Sequence, residues 1–280
     1  MFYLLILILQ MKLIKQITDL NKAINNENEL GFVPTMGSLH KGHEYLIKTS
    51  KKLCKKTLVS IFVNPTQFND RNDYKNYPRD LNKDFKILKR LKVDFVYVPT
   101  VNQIYKEKKF SKINLKKSQK ILCAKFRKGH FEGVLDVMDR FIKLIKPKYV
   151  FLGEKDFQQL FLIKNFVKSR YKSIIYPCKT IRNKNNVPLS TRNYLLSKKD
   201  LNKVGLISSA LKNIKSNIKK QSTLNIFILK SKKKLIKKFK IKIEYLEVRN
   251  ENDLTSSNIK RKYRLFIAYY IKNIRLIDNI

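Results

Sequence analysis

The sequence predicts an α/β fold in which a parallel sheet carries helices on both faces, followed by a smaller α+β domain. Two observations predict it. From Met11 to about residue 185, short apolar runs alternate with amphipathic stretches of about 10–15 residues, the pattern of strands joined by crossover helices. Beyond that point the alternation stops, and two Lys-rich amphipathic stretches precede two strand-like runs.

In order along the chain, Ile14 to Ile24 reads as an amphipathic helix. Gly31 to Thr35 is a short strand that ends in a loop, Glu44 to Lys56 a helix, and Thr57 to Val63 a buried strand. A helix over Asp80 to Leu91 and a strand over Val93 to Val98 follow. Val134 to Ile145 is a helix, Tyr149 to Leu152 a strand, Phe157 to Lys168 a helix and Ser173 to Tyr176 a strand. The second domain has helices over Lys198 to Lys219 and Leu224 to Phe239, then strands over Ile243 to Val248 and Leu265 to Ile271. The expected domains are therefore residues 11–185 and 186–280. Residues 1–10 hold an apolar run, Phe2 to Leu9, too short for a span of roughly 20 residues. They are expected to be an extension or a mis-assigned start, with Met11 the alternative start.

The formal charge of +41 admits a nucleic-acid partner. The Lys residues are spread along the whole chain, however, beside abundant Asn and Ile, residue types that AT-rich codons favour. No helix-turn-helix, zinc-finger or RNP-type pattern accompanies them. Compositional drift is the expected cause, and no nucleic-acid partner is expected. Cys54, Cys123 and Cys178 show neither CxxC nor metal-ligand spacing, which fits buried thiols in a reducing, cytoplasmic compartment.

All three His (40, 43, 130) and six of the seven Gly (31, 37, 42, 129, 133, 153) fall in or beside three short segments. The first runs from Pro34 to His43, PTMGSLHKGH, between a strand and a helix. Helix N-termini favour phosphate, and Gly37 and Gly42 let backbone approach a nucleotide. His40 and His43 can then both donate to charge developing at one phosphorus. In the second segment, SIFVNPTQF, Asn64 and Gln67 stand at the carboxyl edge of a strand, where two amides suit a substrate rich in hydroxyl and carboxylate oxygens. The third pairs Arg127 to Phe131 (RKGHF) with Gly153 to Gln159 (GEKDFQQ). In it Lys155 can neutralise phosphate, Asp156 can accept from ribose hydroxyls, and Gln159 lies one turn along the same helix. A fourth block, Leu189-Ser190-Thr191-Arg192, offers two hydroxyls and a planar guanidinium for the β- and γ-phosphates of ATP.

In order and at similar spacing, the PTMGxLHxGH, SIFVNPxQF, GHFxGV and GEKDFQQL blocks, with the closing Arg275-Leu-Ile-Asp-Asn279, resemble the pantothenate synthetase family of HxGH nucleotidyltransferases. The likeness runs from about Met11 to Asn279. It implies a Rossmann-like nucleotide- and pantoate-binding domain with a C-terminal domain that closes as a lid. It implies an ATP-dependent, AMP-forming ligase that joins pantoate to β-alanine through pantoyl-adenylate. By that resemblance Met36, Gly37, Ser38, Leu39, His40, Lys41, Gly42 and His43 line the ATP site, and His43 is the proton donor. Gly153, Glu154, Lys155 and Asp156, the backbone near Ile181, and Leu189, Ser190, Thr191 and Arg192 also bind ATP. His40 and Lys155 join His43 as expected catalytic residues. Gln67 and Gln159 hold pantoate, Gln67 also lying near β-alanine, and Asn64 stands with them. Mg²⁺ is expected on the ATP phosphates, with Asp84 the one protein candidate for it, and a homodimer is expected.

Some positions depart from the family pattern. Asn185-Asn186 stands where Asp-Gly is usual, Thr191 replaces a Ser, and Glu132 and Asp136 replace residues commonly Arg and small or apolar. Two alternatives stay open on the sequence alone. One is an HxGH nucleotidyltransferase acting on a phosphorylated alcohol, and the other is a basic nucleic-acid-binding protein that has lost catalysis.

Overall fold

The computed structural model describes residues 11–106, 113–256 and 262–280. The apolar run Phe2 to Leu9 lies outside the described residues. The chain forms two compact units. The first comprises the described residues up to Leu115, with Gly129–Gly153 and Leu160–Cys178. The second comprises Lys116–Lys128, Glu154–Gln159 and Lys179–Ile280.

The first unit is built on six parallel strands: β1 (Lys12–Ile14), β2 (Leu30–Thr35), β3 (Lys56–Ile61), β4 (Phe95–Tyr97), β5 (Tyr149–Gly153) and β6 (Ile174–Cys178), in the order β1-β4-β3-β2-β5-β6. Helices α1 (Ile17–Ile24), α2 (Lys41–Leu53), α3 (Arg71–Lys75), α4 (Leu81–Arg90) and α5 (Val101–Tyr105) join the early strands. Helix α6 (Leu122–Phe126) belongs to the second unit, α7 (His130–Ile145) precedes β5, and α8 (Phe157–Lys168) precedes β6. The alternation in β2 shows why both faces need cover. Phe32 turns towards α7, its ring 5.5 Å from that of Phe141. Its neighbour Val33 points to the other face and packs in a cluster with Ile47 of α2 and Leu88 of α4.

The chain steps outward from β2 to β3 and β4, then returns to β5 on the other side of β2. The gap between β2 and β5 is thus the topological switch point, where open α/β sheets bind ligands beyond the carboxyl ends of the strands. The loops that leave those two strands begin at Met36 and Glu154, which are the two segments richest in candidate residues.

The second unit holds an antiparallel sheet, β7 (Lys242–Asn250), β8 (Tyr263–Ile271) and β9 (Ile274–Asn279), in that order. Helices α9 (Lys198–Asn217) and α10 (Leu224–Phe239) bring Val204, Ile207, Leu211, Leu235 and Phe239 into one core with Leu265, Ile267 and Tyr269. Among the described residues no helix is long and apolar enough to cross a membrane.

Two expectations need correction. The helix expected from Ile14 begins only at Ile17, because Leu13 and Ile14 pair with Val96 and Tyr97 as an edge strand. The closing Arg275 to Asn279 is not only a motif but most of a strand, paired with β8 from Phe266↔Asn279 to Ile271↔Ile274.

Candidate active site

Beyond β2 the chain makes a sharp turn. Gly37 and Ser38 both take left-handed backbone, with φ of +78° and +52°. A side chain at Gly37 would be strained by that φ and would also crowd its surroundings. Its Cβ would fall 2.9 Å from Asp84 Oδ2 and 3.1 Å from Ile61 Cγ2. Asp84, on α4, is 1% exposed. Its Oδ2 accepts the Ser38 N–H at 2.8 Å and its Oδ1 the Leu39 N–H at 2.7 Å. Burial pushes this carboxyl above its ordinary value, and the two N–H donors oppose that shift. The N–H groups of Ser38 and Leu39 therefore serve Asp84, and the Leu39 side chain is buried in the core. These two residues shape the loop, while Met36, His40, Gly42 and His43 are half-buried and Lys41 is exposed. Asp84 is thus an anchor for the loop. Among the described residues no group of three His, Cys, Asp or Glu is arranged to hold a metal ion.

His40 is the N-cap of α2 and His43 is its third residue, and together they close a reciprocal capping box. His40 Nδ1 accepts the Gly42 N–H at 3.1 Å, and His43 Nδ1 accepts the His40 N–H at 3.3 Å. The ring centroids are 4.1 Å apart, tilted by 31°. A nitrogen that accepts an N–H carries no proton, so each neutral ring holds its proton on Nε2. The pair thus carries two Nε2–H groups beside a helix N-terminus, where the helix dipole favours an anion.

Past β3, Asn64 begins a 3-10 turn over Pro65–Gln67. Asn64 was expected at the substrate, but it is 1% exposed and engaged by its own protein. Its Oδ1 accepts from the N–H and hydroxyl of Thr66 and from the Tyr105 hydroxyl, and its amide donates to the carbonyl of Gly133 at 3.2 Å. It shapes the turn that carries Gln67. Gly133 allows α7 to approach that turn, since a Cβ there would fall 2.3 Å from the Thr66 carbonyl oxygen. His130 Nδ1 lies 2.7 Å from the carbonyl oxygen of Gln67. A carbonyl only accepts, so this ring carries its proton on Nδ1, the opposite tautomer to His40 and His43. Gln67 itself is half-buried.

In the second unit, Glu154–Asp156 forms a 3-10 turn that leads into α8. Lys155 and Asp156 are paired at 3.5 Å. The two glutamines that follow have different surroundings. Gln158 is buried and its amide donates to the carbonyls of Ile121 at 2.8 Å and Gln119 at 3.3 Å, whereas Gln159 is half-buried. Leu189 N–H donates to the Ile181 carbonyl at 2.9 Å, closing the loop between them. Asn186 takes φ +63° there, so the Asn that replaces the usual Gly adopts left-handed backbone, which Asn tolerates better than most residues. Ser190 caps the 3-10 turn Thr191–Leu195, Thr191 is buried, and Arg192 donates to the carbonyl of Arg275 at 3.0 Å.

The motifs point to His40, His43, Gln67 and Gln159, but not to the supporting contacts of Asp84 with the loop, His130 with the Gln67 carbonyl, Tyr105 with Asn64, and Gln158 with the carbonyls of Gln119 and Ile121. A parallel α/β sheet with a histidine-capped helix at its switch point defines a nucleotide-binding enzyme of the HxGH type. A sequence model described as pantoate–beta-alanine ligase matches residues 10–280. Pantothenate synthetases of Pseudothermotoga lettingae and Azobacteroides pseudotrichonymphae are 36% and 38% identical, covering 96% of this chain and 98% and 99% of their own. Two solved structures are also similar. The pantothenate synthetase of Thermus thermophilus superposes with a TM-score of 0.89 at 28% identity, covering 96% of this chain and 99% of that one. A Francisella tularensis pantoate–beta-alanine ligase, complexed with beta-gamma ATP and beta-alanine, gives 0.79 at 36% identity, covering 96% and 97%. The chain belongs to the pantoate–β-alanine ligase family.

Proposed function

We infer that this chain condenses (R)-pantoate with β-alanine at the expense of ATP, in two displacements on one site. In the first, a pantoate carboxylate oxygen attacks the α-phosphorus of ATP, the bond to the bridging oxygen breaks, and pyrophosphate leaves. In the second, the amine of β-alanine attacks the acyl carbon of pantoyl-adenylate, loses a proton, and AMP leaves. The observation that carries this reading is the pair of rings at the start of α2, both fixed with Nδ1 on the helix backbone. Their Nε2–H groups suit the negative charge that builds on the α-phosphoryl oxygens. Nothing in the chemistry calls for a covalent enzyme intermediate, so catalysis consists of positioning and charge neutralisation.

Further assignments follow from this reading. Lys155 neutralises phosphate charge and Asp156 accepts from the ribose. Ser190, Thr191 and Arg192 serve the β- and γ-phosphates. Gln67 and Gln159 hold pantoate. Gly153, Glu154, Ile181 and Leu189 contribute backbone to the nucleotide site. Mg²⁺ would enter with ATP and offset phosphate charge, held mostly by phosphate and water oxygens. A homodimer in the cytoplasm completes the reading, consistent with three free cysteines.

The test is pyrophosphate release from ATP and pantoate, with and without β-alanine. Release without β-alanine, limited to about one equivalent per site, supports the order of steps. Strict dependence on β-alanine would argue for a different sequence.

A further inference from the structure

Strand β9 makes polar bonds to each segment assigned to ATP in the second unit. Asn279 is 4% exposed. Its side-chain amide donates to two consecutive carbonyls, those of Glu154 and Lys155, both at 2.9 Å. Its Oδ1 accepts from Arg264 at 2.9 Å, and Arg264 also reaches the Glu154 carboxylate at 3.3 Å. The amide orientation follows from these partners, because only the NH₂ group can satisfy carbonyls and only the oxygen can satisfy a guanidinium. Its neighbour Asp278 is buried and pairs with Arg182, at 2.9 Å from Nη1 to Oδ2, while Arg182 donates to the carbonyl of Asn186 at 2.9 Å. Ser208 donates to the same carboxylate at 2.9 Å. Four residues earlier on the strand, the carbonyl of Arg275 accepts from Arg192.

We propose that β9 is the strand that registers the nucleotide-binding segments, and that Asn279 is a positioning residue for Lys155. The proposal rests on the reading of Lys155 given above. The carbonyls of Glu154 and Lys155 sit on the 3-10 turn that opens α8. Fixing two consecutive carbonyls fixes the peptide planes on each side of the Lys155 Cα, and so the direction in which its side chain leaves the backbone. β9 is an edge strand of its sheet, so its outer side can hold loops in place of another strand.

The test uses four full-length proteins, wild type, Lys155→Ala, Asn279→Asp and the double variant, assayed for pyrophosphate release with thermal unfolding as a control for folding. Asn279→Asp keeps the shape of the side chain but turns an oxygen towards the two carbonyls. Misplacement of a charged group costs about 10–100-fold in kcat/KM for ATP. We expect a loss of that size in the wild-type background and less than about threefold in the Lys155→Ala background, because coupled residues are non-additive. An equal loss in both backgrounds, or no loss from Asn279→Asp, overturns the proposal alone. A near-normal Lys155→Ala overturns the reading of Lys155 and the proposal with it. If Asn279→Asp unfolds, Arg264→Lys replaces it. That variant keeps Asn279 and the positive charge but loses the fork that orients the amide, and the same non-additivity is expected at smaller amplitude.

Discussion

His40 and His43 are both tied through Nδ1 to the backbone of the turn that opens α2. Nδ1 of His40 takes the N–H of Gly42, and Nδ1 of His43 takes the N–H of His40. One arrangement therefore caps the helix and fixes both tautomers. It also allows the two roles to be separated experimentally. His40→Asn retains a good N-cap acceptor but lacks a donor at the Nε2 position. Its thermal stability should stay near that of wild type while adenylate formation falls by about 10²–10³-fold, the usual consequence of losing a transition-state donor. His40→Ala should lose in addition about 1 kcal/mol of stability. His43→Ala should lose activity to a similar extent. In ¹⁵N-resolved spectra at neutral pH, both rings should show the Nε2–H tautomer and His130 the Nδ1–H tautomer. Near-normal turnover in His40→Asn would confine the ring to a capping role.

Asp84 makes a second prediction. An amide at this position offers one oxygen to two backbone N–H groups, so Asp84→Asn should leave one of them unsatisfied. The expected cost is about 1–3 kcal/mol by denaturant titration. Because the loop carries His40, turnover should also fall by about tenfold or more. A destabilised protein with full turnover would show that the histidines do not depend on this anchor.

These two cases show what the sequence could and could not reveal. The His-x-Gly-His spacing is local, since a strand, a tight turn and a helix start can be read from ten residues, and its chemistry can be read with them. Asp84 lies 46 and 45 residues from the two amides it holds, and the sequence offers it as a candidate for Mg²⁺, with no local sign that it anchors the loop. Asn279 reaches back 125 and 124 residues. Only the folded chain brings such partners together. At Ile14 the failure was of a different kind. The apolar spacing from Ile14 to Ile24 does fit a helix, but three residues of backbone pairing with β4 take Lys12–Ile14 into the sheet.

The glutamines allow a contrast within one helix. Gln159→Ala and Gln67→Ala should raise the KM for pantoate while leaving ATP binding, measured by calorimetry, nearly unchanged. Gln158→Ala should act differently, because its amide holds the carbonyls of Gln119 and Ile121. The expected result there is about 1–2 kcal/mol lost in stability with a smaller effect on pantoate use. Reversed behaviour of the two neighbours would exchange their assignments.

Within the second unit, Glu244 accepts from Arg275 at 2.7 and 3.0 Å and from the Tyr270 hydroxyl at 2.7 Å. Burial raises its carboxyl, but the Arg275 and Tyr270 hydrogen bonds outweigh this and leave it below the ordinary value of 4.5. A carboxylate lowered on folding contributes stability above its unfolded value, and that contribution is lost as the pH falls through the folded value. Glu244→Gln should cost about 1–3 kcal/mol at pH 7, by leaving the half-buried Arg275 without its counter-charge. The gap between wild type and variant in urea should narrow as the pH drops below about 4.5. A gap that is constant with pH would mean that the carboxylate charge contributes nothing.

The last prediction concerns Arg192. One of its N–H groups is tied to the carbonyl of Arg275, so the guanidinium is oriented before any nucleotide arrives. A fork held in this way loses less entropy when it meets phosphate oxygens, which favours Arg over Lys at such a position. Arg192→Ala should raise the KM for ATP and slow adenylation, and Arg192→Lys should restore only part of the loss, since a lysine cannot span the carbonyl and the phosphate together. The second half-reaction separates phosphate binding from a structural role. When pantoyl-adenylate and β-alanine are supplied directly, no pyrophosphate is present, so a residue serving the β- and γ-phosphates has nothing to hold. Both variants should then form pantothenate at close to the wild-type rate. Equal damage to both half-reactions would mean that Arg192 acts through β9 on the fold, and its phosphate role would have to be abandoned.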